Sequence, residues 1–187
     1  MSAIAKLSLK EYERIVATGV FDGKNRRRLE LIRGELREMN PIGPDHCTIV
    51  DRLAEWSFDS APRAKVRVRV QNPLAFETVD SEPEPDIVWA KRKDYAAGHP
   101  IADDVLLLIE VAVSSLDNDR GEKSEVYADV GIQEYWIVNV VERTIEVRRD
   151  PEGGHYRSVR SFRAGETVQP LAAPNARLSV DSLFAES

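Results

Sequence analysis

The stretch VLLLIEVAV, residues 105–113, is apolar at eight of nine positions, and the ninth is Glu110. A run this dense in Val, Leu and Ile predicts a strand covered on both faces. A second apolar run, EYWIVNV at 134–140, also reads as a strand. Between them DNDRGEKSEVYADVG, 117–131, reads as a helix with an acidic first turn and Gly131 as its stop. Strand, helix and strand predict a parallel crossover. The rest of the chain reads as antiparallel. RLELIRGELREM, 28–39, predicts two short strands turning near Arg33 and Gly34. KVRVRVQNPLAF, 65–76, alternates at first, with Val66, Val68 and Val70 opposed to Lys65, Arg67 and Arg69, and predicts a half-buried strand. A Pro-rich acidic loop from residue 78 feeds a short strand at Ile87, Val88 and Trp89. Residues 143–171 read as further strands, with turns at Pro151 to Gly154 and near Gly165.

Two further helices complete the pattern. Residues 8–17 form one, with Ser8 as N-cap and Glu11 three residues on, a capping box. Residues 44–59 form the other, with His46, Ile49, Val50, Leu53 and Trp56 or Ser57 along one face. The predicted class is mixed α/β (α+β) with a central sheet. A length of 187 residues fits one domain over 1–187 with a substantial core.

Composition narrows the function classes. Hydrophobic residues make up 42 % and charged residues 31 %, the balance of a soluble globular chain. No apolar run approaches the roughly 20 residues of a membrane span. No secretory h-region follows the start, so a cytoplasmic protein is expected. Cys47 is the single cysteine, which excludes an intrachain disulfide and predicts a buried thiol on its helix. The net charge of −6 argues against tight non-specific duplex binding by bulk charge. The bases are uneven, however: Arg26, Arg27 and Arg28 are consecutive, and arginines enrich the C-terminal third.

A carboxylate in a core strand needs a partner. For Glu110 the structural alternative is a buried arginine or backbone donors. Asp86 lies where the Pro-rich loop enters its strand, and two strands with a connection suffice to bring both acids to one sheet surface; by itself Pro-Asp is ordinary turn chemistry. Lys123 shares a helix face with Val126, Tyr127 and Val130 near the end of the Glu110 strand, and its alternative is a surface pair with Asp119. An Asp, a Glu and a Lys together suit Mg²⁺ chemistry on a phosphodiester. Two carboxylates hold the ion, and an ammonium orients the water and offsets charge.

Asp86 in EPDIVWA, Glu110 in LIEVAVSS and the run DRGEKSEVYADVGIQEYWIV at 119–138 resemble the PD-(D/E)XK nuclease superfamily. Within it they are most similar to the bacterial Uma-two family of restriction-endonuclease-like proteins. In that branch the motif lysine comes from the following helix, which matches Lys123, while Ala112 stands two residues after Glu110. ELIRGEL at 30–36 and the pair Pro44 and His46 resemble the family's N-terminal segment. The resemblance covers residues 29–140 closely and the C-terminal strands, 141–187, loosely. It implies a restriction-endonuclease-like central mixed sheet flanked by helices, with Asp86 and Glu110 as metal ligands on neighbouring strands. It further implies the Val111 backbone carbonyl as a ligand and Glu30 as an auxiliary carboxylate, whose alternative is an exposed strand acid. Asn139 departs from the family, where an Asp commonly follows YWIV.

The expected function is a Mg²⁺-dependent endonuclease on DNA, with Mn²⁺ as a substitute, acting as a homodimer and using no small-molecule cofactor. The rival is a catalytically inactive nucleic-acid-binding or regulatory protein on the same scaffold. A third reading is a metal-dependent phosphoesterase acting on RNA or a smaller ester. Other residues carry less. His46 reads as a core histidine or a base. His99 and His155 lack ligand spacing, and Ser114 and Ser115 lack a His/Asp context. Tyr135 and Trp136 read as core aromatics.

Overall fold

Backbone chemistry at the turns sets the element boundaries. The computed structural model describes residues 4–22 and 27–185, so Arg26 lies outside the described residues. Helix α1, Leu9–Ala17, starts on the Ser8 capping box. Strands β1, Leu29–Ile32, and β2, Glu35–Glu38, are joined by Arg33 and Gly34, both at positive φ. Two such residues give the turn whose twist matches a hairpin. A Cβ at Gly34 would lie 2.8 Å from the Lys6 side chain and 2.9 Å from the Leu7 carbonyl, so no larger residue fits that approach. Helix α2 spans Pro44–Ser60, with Pro44 in its first turn, where a missing N–H costs nothing.

The central sheet follows. Its strands are β3, Val66–Val70, β4, Ile87–Lys91, β5, Val105–Ala112, β6, Glu134–Asn139, β7, Thr144–Glu152, and β8, His155–Phe162. Their spatial order is their chain order. β5 and β6 are parallel and the other pairs antiparallel, as the apolar pattern predicts. The crossover is α3, Leu116–Arg120, and α4, Glu122–Asp129. A two-stranded sheet of β9, Thr167–Val168, and β10, Leu178–Ser179, precedes the short α5, Val180–Leu183. Among the described residues no helix is long and apolar enough to cross a membrane.

Each face of the sheet packs against a different helix. Leu107, Ile109 and Val111 of β5 join Ile49, Val50 and Leu53 of α2. Trp56 stacks on Trp89 and Trp136, with ring centroids 5.2 and 5.8 Å apart. Leu108 and Ala112 join Val126, Tyr127 and Ala128 of α4 on the opposite face. Both runs that read as doubly covered strands are therefore central, and Tyr135 and Trp136 are fully buried core residues.

Three boundaries and one burial differ from expectation. β3 ends at Val70 instead of reaching residue 76, because Gln71 adopts φ 49 and leaves the extended region. The helix expected over 117–131 is two helices, because Gly121 takes ψ −108 and interrupts the hydrogen-bond ladder. Cys47 is half-buried, and the fully buried face of α2 begins at Ile49. Pro151 lies within β7, and the turn is Gly153 and Gly154 alone.

Glu82 sits beside β1, and burial, then Glu13 and Glu84, push its carboxyl up to about 7. A pKa raised on folding favours the protonated acid. Its stabilising contribution is complete below the unfolded value near 4.5 and is lost as pH rises through about 7. Glu82→Gln is expected to stabilise the fold at pH 8 by on the order of 1 kcal/mol, allowing for the partial exposure of the side chain, and by less at pH 5. Thermal melts at the two pH values check this, and an equal effect at both contradicts it.

Candidate functional site

Strand alternation decides which way Glu110 faces. Its neighbours Ile109 and Val111 point to α2, so Glu110 points to α4. The register then selects its opposite number. Ile87 pairs with Ile109 across β4 and β5, and one step further out Asp86 stands opposite Glu110. The β1–β2 hairpin docks beside them through Leu31, whose carbonyl accepts from the Glu82 N–H at 2.7 Å. The next residue back, Glu30, accepts from the Glu84 N–H at 2.7 Å.

Lys123 joins these pieces. Its Nζ donates to Glu30 Oε1 and to Glu110 Oε1, both at 3.0 Å. Tyr127, one helical turn on, donates its hydroxyl to the same Glu110 oxygen at 2.7 Å. Burial opposes the Lys123 charge, but Glu110, Glu30 and Asp119 outweigh it and hold its pKa above the ordinary lysine value. Lys123 is therefore a fixed cation. Burial pushes the Glu110 carboxyl up; Lys123 opposes this, and Asp119, Asp86 and Glu30 add to it.

Asp86 is held differently. Its Oδ1 accepts from Gln71 Nε2 at 3.1 Å, and its Oδ2 from the Val111 N–H at 2.8 Å. His46 Nε2 lies 3.2 Å from Oδ2. Burial opposes ionisation here too, but His46, the Val111 N–H and Gln71 together bring the Asp86 pKa below its ordinary value. Asp119 bonds Ser115 at 2.7 Å, and burial raises its pKa.

These groups line a cleft of about 520 Å³, with Arg28 and Arg37 among its walls. Glu30, Asp86, Glu110 and Asp119 are each between 2 % and 7 % exposed, as is Lys123 at 6 %. Four buried carboxylates against one buried ammonium leave the cluster short of positive charge. A divalent cation that prefers oxygen donors fits that deficit. Among the described residues no three His, Cys, Asp or Glu side chains converge as a complete ligand set. An ion here would rely on one or two carboxylates and water, the habit of Mg²⁺.

The Uma2 family, described as "putative restriction endonuclease", matches residues 9–181. The chain belongs to the Uma2 family. A crystal structure described as that of a putative nuclease belonging to DUF820, from Anabaena variabilis, has a similar fold. The TM-score is 0.74 at 19 % identity, covering 96 % of this chain and 98 % of that one. No match is found among curated proteins.

In this Uma2 chain Asp86, Glu110, Lys123 and Glu30 converge. Lys123 is not paired with Asp119 at the surface, and Glu30 is not an exposed strand acid. Val111 gives its N–H to Asp86. His46 contacts Asp86, while His99 and His155 lie outside the cleft. Ser114 and Ser115 line it. Three residues escaped the sequence reading as parts of the site. In the sequence alone Tyr127 reads only as part of a helix face, Asp119 only as part of a surface pair, and Gln71 only as part of a strand. The Asn72–Pro73 step after Gln71 is the turn signal that could have marked it.

Lys123→Met is expected to cost about 3–5 kcal/mol of stability, because two buried carboxylates lose their counter-ion. Urea unfolding measures it, and a loss under about 1 kcal/mol would mean that the ammonium is not their compensating charge.

Proposed function

We propose that this protein is a divalent-metal-dependent endonuclease that hydrolyses DNA phosphodiester bonds in the cleft lined by the β1–β2 hairpin, β5, α3 and α4. One observation carries the reading: Asp86, at the entry to β4, stands opposite Glu110 of β5, with the Lys123 ammonium on Glu110. Membership of Uma2 and the nuclease-like fold support it.

Asp86 and Glu110 would hold the cation, Mg²⁺ or in its place Mn²⁺, together with the Val111 carbonyl and water, while Glu30, bonded to Lys123, would be an auxiliary carboxylate. The bound ion polarises the phosphodiester and lowers the pKa of a water. Lys123, held protonated, is a poor base. Its part is to orient the attacking water and offset charge that develops on the phosphate. Tyr127 stays protonated, since burial and then Glu110 raise its pKa, so it keeps donating to Glu110. With a net charge of −6, attraction to DNA is local and depends on the cation and on arginines such as Arg28 and Arg37 at the cleft. One site cuts one strand, so the working form proposed is a twofold dimer.

Supercoiled plasmid and single-stranded DNA, incubated with Mg²⁺, Mn²⁺ or chelator, test the proposal with Glu110→Gln beside wild type. Nicking is expected with either metal, none with chelator, and none in Glu110→Gln. Lys123→Arg, which keeps the charge but changes its shape, is expected to slow nicking more than it weakens Mn²⁺ binding. Undiminished cleavage by Glu110→Gln sinks the assignment. Absence of both cleavage and metal binding favours a binding protein on the same scaffold.

A further inference from the structure

Asp86 is gripped by two residues from separate elements, each placed there at a local cost. The first is Gln71. Its backbone lies at φ 49, where a side chain with a Cβ is crowded and where glycine or asparagine is usual. The turn itself does not call for glutamine. What glutamine adds is reach. Its N–H donates to the Asp86 carbonyl at 3.0 Å and extends the β3–β4 ladder by one bond, while Nε2 donates to Oδ1 at 3.1 Å. The second is His46, in the first turn of α2, whose Nε2 meets Oδ2 at 3.2 Å. Its Nδ1 is buried with no hydrogen-bond partner, so Asp86 is the one polar contact of the ring among the described residues. A strained backbone and an orphaned buried nitrogen at a single carboxylate are the marks of a site held for use.

A carboxylate offers about four lone-pair positions. Gln71 occupies one on Oδ1, and His46 and the Val111 N–H occupy both on Oδ2. One position on Oδ1 remains. We infer that Gln71 and His46 are positioning residues that fix the Asp86 carboxylate as a one-oxygen ligand for a divalent cation. The inference rests on the metal reading above and adds two residues and a binding mode to it. Outer-shell donors of this kind set the orientation of a ligand before the ion arrives.

Calorimetric titration with Mn²⁺, beside thermal melts without metal, separates this role from a structural one. Gln71→Gly relieves the strained backbone while removing the amide. It is expected to weaken Mn²⁺ binding about 10-fold or more while the melting temperature stays at or above the wild-type value. His46→Ala is expected to weaken binding similarly, and His46→Gln, which presents a donor nitrogen at a similar reach, to restore most of it. Asp86→Ala serves as the null for binding. Wild-type affinity in Gln71→Gly and His46→Ala, with binding lost in Asp86→Ala, overturns this inference and leaves the metal site standing. A melting temperature for Gln71→Gly that falls together with affinity makes Gln71 structural and also overturns it. A wild type that takes up no Mn²⁺ removes the metal reading and this inference with it.

Discussion

Lys123 enters the interior because Glu30 and Glu110 receive it, and those two acids are tolerated there because Lys123 arrives. None of the three charges would be sustainable alone, since an unpaired buried ion costs several kcal/mol. Their mutual dependence ties three elements together: the β1–β2 hairpin, the central strand β5 and the crossover helix α4. The Arg37–Glu122 and Arg33–Asp129 pairs fasten hairpin to helix at the rim, where solvent makes each pair weak. The buried cluster fixes the geometry, and the rim pairs add to it.

The cluster is also left incomplete. One ammonium serves four buried acids; burial, and after it the neighbouring acids, raise the pKa values of Glu110 and Asp119 against the pull of Lys123. Asp86, by contrast, is kept ionised by neutral donors and His46. Two neighbouring carboxylates thus sit in opposed environments, one biased toward its proton and one toward its charge. Pairs of acids pushed apart in this way mark sites that handle charge in a reaction.

Local rules carry the scaffold around this cluster. A positive-φ pair turns the hairpin, Gly121 breaks the crossover helix, and Gln71 ends β3. The break at Gly121 has a consequence for the site. In one continuous helix Asp119 and Lys123 would be i,i+4 neighbours on a common face. With the break, Asp119 turns to Ser115, while Lys123 bonds Glu30 and Glu110.

The main strands, the parallel crossover and the core faces were legible in the sequence because each depends on hydrophobic period within a short window. The same holds for Glu110, a lone charge in an apolar run, and for Lys123, a cation on an apolar face. Their convergence with Asp86 was legible only through the resemblance of motifs, since nothing local measures the distance between strands. What the tertiary structure alone decided is the set of contacts between segments far apart in the chain. Glu30 meets Lys123 across 93 positions, and His46 meets Asp86 across 40. The bend at Gln71 belongs with these. The Asn72–Pro73 step marks a turn nearby, but the left-handed backbone at Gln71 goes against local preference and is held by Asp86 at the entry to β4, a contact that residues 65–76 alone do not contain.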